Sequence, residues 1–542
     1  MVGFLFIMKA MTRLDNYDEL FLSANQHADQ GAYREAIELY KRAAKYKKQD
    51  KSDLFLRMAI GYFNLEDYQN TINSLYFFIE QQPEALFAHQ VLGRAFFKIK
   101  KFDDALIAFN KEIKLNPKYA EAYSDKAYAL NELKRFQEAY QAAEIANQLD
   151  QSFPDPYDCM AIALNQMGQN SEALIFAFKA LQIDNKNSDF YRTVGDIYHD
   201  IDENKKALKF YDLALKINPK FFMVLYNKSL ALLKMLNFNE GWKLYEYRHT
   251  TYTTQNLELF QDFSKKKFQN AKNILILKEQ GLGDFIMFSS ILSDLSLDGK
   301  NIIVETDERV LPLMKRSFKK IKFIKNINQL DIKLFDHVLS IASLGGYLRR
   351  DIQAFKKEIN FFLKSEDNQK EKFKELFKKI KTNPKQKICG LSWRSNNKTI
   401  GNLKSIDLRE LKPLLELSEF KFINLQYQIS EQEKKEIKNM GMEIVNIPDI
   451  DLYNDIESLC SLIDACDFIV TISNINAHLA GALGKTTYLL SAKGKAKHFY
   501  WHHCQDSSLW YPTLKTFEQD NLDDWNTPIN KIIETLNFKN DE

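Results

Sequence analysis

The chain has 542 residues, of which 45% are apolar, and its formal net charge at neutral pH is +3. This length exceeds what a single hydrophobic core supports, so two or three globular domains are expected. The small net charge, made of interspersed positive and negative residues, argues against a dedicated nucleic-acid or membrane-surface role, which needs a concentrated basic face.

The cysteines and the apolar runs indicate the compartment. The five cysteines are odd in number and include no CxxC pair, which is typical of reduced thiols in a cytoplasmic protein. The apolar run at residues 4–7 is too short for a secretory core or a membrane span, and no other stretch approaches 18 apolar residues. We therefore expect a cytoplasmic protein without a transmembrane segment.

Small residues recur with a fixed period through the first half of the chain. Ala105, Ala139, Ala173, Ala207 and Gly241 lie 34 residues apart. Glycine, aromatic residues and proline keep constant places around them, as in the segments 92–117 and 194–219. A period of 34 with a small residue at this place is the signature of the tetratricopeptide repeat (TPR), a helix-turn-helix unit that buries its core by stacking.

The periodicity predicts seven repeats over residues 17–249, forming a right-handed solenoid of paired antiparallel helices with these four alanines buried. The units are expected to start near Tyr17, Ser52, Leu86, Ala120, Pro154, Ser188 and Phe222. Because the TPR is a protein-binding scaffold, we expect a protein partner on its groove and any chemistry elsewhere in the chain.

Beyond the repeats the pattern changes from all-helical to alternating strands and helices. A polar linker is expected over residues 250–270, followed by a first Rossmann-like lobe over residues 271–355. In this lobe a buried strand at 273–278 leads into a turn at 279–284 and then a helix at 285–295, and further strands are predicted at 302–305 and 337–340. This order predicts a doubly wound parallel sheet.

A second set of the same kind completes the chain. A lysine-rich linking helix is expected over residues 356–387, and a second Rossmann-like lobe over residues 388–542. Its predicted strands lie at 388–393, 422–426, 443–445 and 468–472. Ligands in such folds bind at the carboxyl ends of the strands, so a cleft between the two lobes is the expected site.

Six stretches of the second half carry a family resemblance. They are residues 241–248, the Gly-Leu-Gly-Asp turn at 281–284, 390–393, 425–426, the AHLAGALGK stretch at 477–485, and 509–512 with Trp525 after it. In this order they resemble the heptosyltransferase-type (family 9) glycosyltransferases, and more closely the bacterial proteins that fuse TPR repeats to such a domain. The resemblance implies an α + α/β fold, with a TPR α-solenoid followed by a GT-B-like pair of Rossmann-like lobes.

The same resemblance implies an inverting, metal-independent glycosyltransferase. It would move a sugar from a nucleotide-sugar co-substrate to an acceptor, without a cofactor. The first lobe would face the acceptor and the second would bind the donor. Asp284 stands at the position that the family uses for its catalytic base. The alternative reading of Asp284 is an N-cap of the helix predicted to begin at Phe285.

The second lobe is expected to hold the departing diphosphate. Ser473 and Asn474 precede a helix that contains His478, and the backbone N–H groups and dipole of a helix start suit a phosphate. His478 is then either a phosphate ligand or a buried histidine bonded to backbone. Lys404 is either a cationic clamp on the diphosphate or a solvated lysine. Family members often carry Asp-Thr in place of Ser473-Asn474 and Arg in place of Lys404, so the donor stays open.

The remaining candidates lie at strand ends. Gln426 is expected near the nucleotide, and Gly283 and Trp393 are possible sugar or base contacts. No metal site is expected, because the histidines of residues 498–503 with Cys504 match no standard zinc spacing. The Asp449-Ile450-Asp451 stretch is expected to be a solvated turn.

Three function classes therefore stand side by side. The first is the glycosyltransferase with a partner-recruiting TPR array. The second is a TPR scaffold whose transferase-like domain is inactive. The third is a protein O-GlcNAc transferase, which also joins repeats to a GT-B domain but lines its groove with asparagines. The corresponding positions here are Leu22, Arg57, Val91, Asp125, Cys159, Thr193 and Asn227. Because the asparagine ladder is missing, this class ranks last.

Overall fold

A computed structural model of the chain describes residues 17–46, 51–249, 265–328, 330–355, 361–397, 399–502, 507–522 and 524–538. The chain divides into two compact units, Met1–Ile197 and Tyr198–Glu542. Within the described part of the chain, no helix combines the length and apolar character needed to cross a bilayer.

Helices in consecutive pairs make up the N-terminal part of the described chain. The first helices of the pairs are α1 (Tyr17–Asp29), α3 (Ser52–Asn64), α5 (Ala88–Lys98), α7 (Ala120–Glu132), α9 (Asp155–Gln166), α11 (Ser188–Asp200) and α13 (Phe222–Lys234). The second helices are α2 (Tyr33–Tyr46), α4 (Tyr68–Gln81), α6 (Phe102–Leu115), α8 (Phe136–Leu149), α10 (Asn170–Ile183), α12 (Asn204–Ile217) and α14 (Phe238–Tyr245). Each first helix begins within two residues of a predicted repeat start, and the helical-repeat prediction is confirmed.

Small residues let the paired helices pack closely. Ala105, Ala139, Ala173 and Ala207 are all fully buried, as the periodicity predicts. A Cβ at Gly93 of α5 would lie 2.5 Å from the ring of Phe109 on α6. Only glycine therefore permits this approach of the two helices, and the space between them is filled by the aromatic ring.

Every turn between the two helices of a pair contains a residue in the left-handed region. These residues are Gly31, Glu66, Lys100, Lys134, Gly168, Asp202 and Leu236, with φ between 60° and 83°. Five of the seven carry a side chain, although the left-handed region favours glycine. The turn geometry is thus imposed by the packing of the flanking helices rather than by the local residue preference.

The first sheet of the α/β region has four parallel strands in the order β3-β2-β1-β4. Its elements are α15 (Lys265–Asn270), β1 (Asn273–Leu277), α16 (Leu282–Ser289), β2 (Asn301–Glu305), α17 (Leu311–Ser317), β3 (Lys322–Ile324), β4 (His337–Ser340) and α18 (Leu344–Leu348). Short 3₁₀ segments span Ser290–Asp294, Glu308–Val310, Ile332–Leu334, Ile341–Ser343 and Ile352–Phe355. The predicted helix over 285–295 thus begins three residues earlier and ends as a 3₁₀ turn.

The second sheet has five parallel strands in the order β6-β5-β7-β8-β9. Its elements are α19 (Asp367–Ile380), β5 (Lys387–Leu391), α20 (Gly401–Lys404), α21 (Lys412–Leu415), β6 (Phe420–Asn424), α22 (Glu431–Asn439), α23 (Ile456–Ala465), β7 (Phe468–Ile472), α24 (Ile475–Leu483), β8 (Thr487–Ser491), the 3₁₀ segment Gly494–Ala496, β9 (Leu514–Glu518) and α25 (Asn526–Phe538). The strand predicted at 443–445 is only an isolated bridge between Val445 and Ile423, because the segment is too short to form a ladder.

One hydrophobic core runs from α13 and α14 through the first sheet and into the second. Trp242 of α14 is buried in it, and its indole N–H donates to the backbone carbonyl of Arg349 at 2.8 Å. A Cβ at Gly345 of α18 would lie 2.7 Å from the Trp242 ring. The last repeat therefore packs into the core of the α/β region, and both lie in the unit Tyr198–Glu542.

Replacing Ala173 by leucine should lower the free energy of unfolding by about 1–3 kcal/mol, because the added atoms overpack a helix contact that has no free space. Urea denaturation of the whole protein measures the change. Glu172→Leu on the adjacent, exposed position is the matched control and should stay close to wild type. Equal stability of the two variants would contradict the packing role of the small residue.

Candidate functional site

The turn after β1 carries Asp284 and ends in the first turn of α16. Gln280 has φ near +60°, and Gly281 is the N-cap residue of the helix. The Asp284 carboxylate accepts the backbone N–H of Gly281, a reach from the third helical position back to the N-cap. Asp284 therefore does stabilise the helix start, but from inside the helix and not as the N-cap predicted from the sequence.

The Asp284 carboxylate also accepts a hydrogen bond from the Tyr500 hydroxyl, which comes from the second sheet region. Burial raises the pKa of Asp284 above its ordinary value, while the bonds from Tyr500 and Gly281 and the charge of Lys404 oppose this rise. The nearby carboxylate of Glu279 adds to the rise. Asp284 is therefore a partly desolvated carboxylic acid, and its ionised form is stabilised by neutral hydrogen-bond donors and by one cation.

Helices α16 and α24 are in direct contact beside Asp284. A Cβ at Gly283 would lie only 2.7 Å from Cδ2 of His478. A cleft with room for a sugar was expected between these two turns, and the structure corrects this expectation at Gly283. This glycine serves the close approach of the two helices instead of an open sugar contact.

His478 is buried among aromatic rings. Its Nδ1 lies 3.0 Å from the Tyr511 hydroxyl, and its ring stacks on Trp501 with centroids 4.9 Å apart. Its partner is thus a tyrosine side chain and not the backbone group expected in the structural alternative. Burial, with a smaller effect of the Lys404 charge, lowers the pKa of His478 to about 3. The ring is therefore neutral at physiological pH.

Ser473 and Asn474 lie where the sequence predicts, between β7 and α24, but both are engaged within the protein. Asn474 is the N-cap of α24, and its Oδ1 accepts the backbone N–H of Asn476 at 3.0 Å. Its amide donates to Ser392 Oγ at 3.1 Å. The hydroxyl of Ser473 accepts the indole N–H of Trp501 at 2.8 Å. The helix start is thus already capped by its own side chain.

Lys404 is buried at the end of α20, so the solvated-lysine alternative is wrong. Its Nζ donates to Nε2 of His498 at 2.8 Å. Burial lowers the pKa of Lys404 to about 8, and the negative charge of Asp284 limits the fall. The structure therefore brings Asp284, Lys404 and His478 into one cluster, although they lie on three separate segments of the chain.

Gln426 and Trp393 belong to a different local network. The Gln426 side-chain oxygen accepts the backbone N–H groups of Trp393 and Arg394 at 3.3 and 2.9 Å. The Trp393 indole donates to Glu433 at 3.0 Å, and only 1% of this residue is exposed. Trp393 thus offers no free face to a sugar or base, and the two residues brace the ends of β5 and β6.

The segment after β8 contributes residues that the sequence did not single out as part of the site. His498, Tyr500 and Trp501 reach Lys404, Asp284 and Ser473 respectively. The consecutive aromatic residues were the available signal in the sequence, whereas the histidines of this segment suggested only the question of a metal site. His503 and Cys504 of that hypothesis lie outside the described residues.

The last repeat holds the turn that carries Asp284. The guanidinium of Arg248 donates two hydrogen bonds to the Glu279 carboxylate, at 2.8 and 2.9 Å, and a third to Glu246 at 3.1 Å. The amide of Gln280 donates to the Tyr245 hydroxyl at 2.6 Å. Arg248 is only 3% exposed, so a buried cation compensates the negative charges of the Glu246 and Glu279 carboxylates.

A cavity of about 300 Å³ borders the cluster. His498 forms part of its wall, together with Phe499 and His502 of the same segment. The other side is formed by residues at the ends of the last repeat helices, which include Asp202, Asn204 and Lys234. The cavity therefore lies where the repeats meet the carboxyl edge of the second sheet.

Comparison with known proteins gives partial matches. The curated protein FlbA of Caulobacter vibrioides is 26% identical over 342 residues, which covers 58% of this chain and 55% of FlbA. The chain thus spans about half the length of this curated relative. No protein-family model matches the chain.

Two solved structures illustrate the similarity to repeat proteins. A tetratricopeptide repeat protein of Parabacteroides merdae covers 45% of this chain and 96% of its own, at 14% identity and a TM-score of 0.41. A thermophilic TPR protein of Thermus thermophilus covers 34% of this chain and 99% of its own, at 18% identity and a TM-score of 0.31. The elements described above define the class of this protein: a TPR-like helical-repeat array followed by a parallel-sheet α/β region.

Replacing Arg248 by methionine should lower the free energy of unfolding by about 3–5 kcal/mol, because it leaves the carboxylates of Glu246 and Glu279 buried without their cation. Chemical denaturation of the whole protein measures the loss. Arg135→Met is the matched control: Arg135 pairs with Glu138 in solvent, and such pairs contribute little. Similar losses in the two variants would show that the buried network is not what holds the turn.

Lys404 should make the stability of the protein rise with pH on the alkaline side. Its pKa is about 8 in the folded protein and about 10.4 in an unfolded chain. Between these values the unfolded chain binds more protons, so this group adds stability as the pH increases. In Lys404→Met this contribution is absent. The free energy of unfolding of the variant should therefore rise relative to that of wild type near pH 7.5, and this relative rise should disappear near pH 10.

Urea unfolding at several pH values measures this effect. The control is Lys531→Met, which removes an exposed lysine paired with Asp520 and should leave the pH profile unchanged. A constant stability difference between Lys404→Met and wild type across the whole range would contradict the lowered pKa of Lys404.

Proposed function

We propose that this protein is an inverting, metal-independent glycosyltransferase whose TPR-like repeats hold a protein partner or acceptor. The observation that carries the proposal is the convergence of Asp284, Lys404 and His478 at the carboxyl ends of two parallel sheets. Parallel-sheet proteins bind their ligands at this edge. Convergent ionisable groups with shifted pKa values at such a place favour a functional site.

The proposed roles follow from the position of each group. Asp284 is the base that takes the proton of the acceptor hydroxyl as its oxygen bonds to the anomeric carbon. The bond from that carbon to the diphosphate oxygen breaks at the same time, and the diphosphate leaves with the electron pair. Lys404 supplies positive charge for the departing phosphate oxygens. His478 is neutral and serves as a donor or acceptor without added charge.

Donor binding requires the contact between α16 and α24 to open. Gly283 and His478 leave no space for a sugar between them, and the groups proposed for the diphosphate are bonded within the protein. Binding would therefore exchange the His498 contact of Lys404 for a phosphate contact. Closure around a bound donor is a common way to exclude water from such reactions.

The repeats are proposed to recruit the protein partner or acceptor, and the chain is proposed to act in the cytoplasm. The described cysteines, Cys159, Cys389, Cys460 and Cys466, are buried free thiols. This condition is in keeping with a reducing compartment.

A second candidate function is a protein-binding TPR scaffold with an inactive transferase-like region. It is favoured because the groups proposed to bind the nucleotide sugar already have hydrogen-bond partners within the protein. These groups are Ser473, Asn474, Lys404 and His478. A screen by thermal shift against ADP-, UDP-, GDP- and CMP-sugars separates the two candidates. A true donor at about 100 times its dissociation constant should add about 2.7 kcal/mol of stability.

Replacing Asp284 by asparagine should reduce turnover by about 10²–10⁴-fold, because the amide keeps the shape and the capping oxygen but cannot accept the proton. Transfer from the donor found in the screen measures the loss, and donor affinity and melting temperature should stay close to wild type. Asp307→Asn is the matched control, since Asp307 also caps a helical turn of the first sheet region. Full activity of Asp284→Asn would reject the base, and no transfer by wild type with any bound donor would favour the inactive scaffold.

A further inference from the structure

The cavity of about 300 Å³ beside His498 is formed by two parts of the chain. The turn between α11 and α12 and the end of α13 contribute Asp202 and Lys234, and the segment after β8 contributes Lys497 and His498. All of these residues belong to the unit Tyr198–Glu542. The volume is at the lower end of the range for small-molecule sites, so the cavity admits a small ligand.

Close backbone packing holds these two parts against each other. The carboxylate of Asp202 accepts the backbone N–H of Gly494 at 3.2 Å and the ammonium of Lys234 at 2.9 Å. Gly494 has φ of 71°, and a Cβ there would lie 2.5 Å from the backbone carbonyl oxygen of Asp200. Glycine is the residue that permits both this conformation and this approach. The walls of the cavity are therefore in place before any ligand binds.

The hydrogen bond from Lys404 determines which nitrogen of His498 carries a proton. An ammonium group can only donate, so Nε2 of His498 is the acceptor, at 2.8 Å from Nζ. Burial lowers the pKa of His498 well below its ordinary value, and the charges of Lys404 and Lys234 lower it further. The ring is therefore neutral at physiological pH, and its one proton lies on Nδ1.

The Nδ1–H group of His498 is available to a ligand. The two nitrogens of an imidazole point to different sides of the ring, so this proton is directed away from Lys404. The ring is partly exposed and forms part of the cavity wall. Within the described part of the chain, Nδ1 has no acceptor at hydrogen-bond distance. A donor in this situation favours a ligand that supplies an acceptor atom.

Positive charge predominates around this donor. Lys234 and Lys497 line the cavity, whereas Asp202 is the one carboxylate among the described wall residues. Lys497 donates to Glu518 at 2.5 Å, outside the wall. The ammonium of Lys404 lies on the other nitrogen of the ring. An oxyanion accepts hydrogen bonds from N–H donors and is attracted by ammonium groups, so it matches these surroundings.

We propose that this cavity is a site for a small oxyanion, a phosphate or a carboxylate, which accepts the Nδ1–H of His498 and is attracted by the ammonium groups of Lys234 and Lys497. The site is separate from the one proposed for the sugar donor, because the two ligands meet opposite sides of the His498 ring. An acceptor on one imidazole nitrogen makes the other nitrogen more basic. The bound oxyanion therefore strengthens the hydrogen bond that Lys404 donates to Nε2.

The oxyanion is consequently an inhibitor of the proposed transferase, and this part of the inference rests on the proposed function. Donor binding there requires Lys404 to leave His498 for a phosphate group of the donor. An oxyanion that strengthens the contact between Lys404 and His498 opposes this exchange. Its presence should therefore weaken donor binding without occupying the donor site.

NMR of the whole protein labelled with ¹⁵N at histidine tests the site without a sugar donor. His498→Phe identifies the His498 signals by their loss. In wild type the proton should lie on Nδ1, and titration with sodium phosphate or sodium acetate should shift the signal of this nitrogen to saturation. Sodium chloride at equal ionic strength should not shift it. The anion that saturates at the lower concentration identifies the ligand as a phosphate or a carboxylate.

Lys234→Met should weaken the binding of that anion by about tenfold or more, because a hydrogen-bonding cation of the wall is lost. Lys228→Met is the matched control, since Lys228 lies on the same helix, α13, and pairs with Asp212 outside the cavity. This control should bind the anion as wild type does. If Lys234→Met fails to fold, Lys497→Met takes its place with the same expected loss, because the Lys497 side chain is 20% exposed and that of Lys234 only 7%.

Three results would overturn the site: a His498 proton on Nε2, no saturable shift with either anion, or wild-type affinity in the folded lysine variant. A fourth result concerns the location of the anion. Binding that is lost in Lys404→Met but kept in Lys234→Met would place the anion at the proposed diphosphate site and would also overturn the proposal.

Initial rates of transfer from the sugar donor found by thermal shift test the inhibition. The anion should raise the KM for the donor in wild type and in Lys228→Met, with a much smaller effect in Lys234→Met. An unchanged KM in wild type, or an equal rise in Lys234→Met, would reject the inhibition. Absence of transfer by wild type with any bound donor would reject the proposed transferase and the inhibition together, whereas the NMR titration decides the anion site by itself.

Discussion

The buried guanidinium of Arg248 is the interaction on which the geometry of the candidate site depends. It lies just beyond the last repeat helix and binds Glu279, the first residue of the turn that ends in Asp284. Glu279 in turn accepts the backbone N–H of Ala342 after β4. A charge removed from water must be matched locally, so the repeat, the turn and the edge of the first sheet are held in one arrangement. The last repeat helix and the turn that carries Asp284 are therefore fixed to each other within the unit Tyr198–Glu542.

The pKa values of Asp284, Lys404 and His478 are all shifted in the direction that favours the neutral form of each group. Burial raises the pKa of the Asp284 carboxyl and lowers those of Lys404 and His478. A single cause therefore acts on all three, since a low-dielectric surrounding penalises every charged form.

The repeats could be predicted from the sequence because each unit repeats the same packing requirement. Ala173 must be small wherever a partner helix crosses it, so the period alone placed the helices. The position of Asp284 was also predictable, because a strand followed by Gly-Leu-Gly-Asp leaves few options for the chain. The strand-helix alternation likewise indicated that Lys404 and His478 follow strands of a second sheet.

Contacts between distant segments could not be predicted from the sequence. Trp393 and Gln426 follow strands as ligand-contacting residues do, but the sequence does not show that Glu433 and the backbone of Arg394 would occupy their polar atoms. Tyr500 was not predicted as a residue of the site, because an aromatic residue among other aromatic residues indicates a hydrophobic core. Its polar partner, Asp284, lies more than 200 residues earlier in the chain and is brought near it only by the tertiary packing.

The burial of Trp242 against the first sheet region has a practical consequence for dissecting the protein. A fragment that starts after the repeats, at the segment 250–264, would uncover the surfaces of Gly345 and Phe288 that now face this indole. Such a fragment would expose contiguous apolar area and lose the cation that matches Glu279, and exposed patches of this kind promote aggregation. Separate expression of the α/β region therefore has to begin upstream of α13, so that the two final repeat helices, α13 and α14, act as its covering layer.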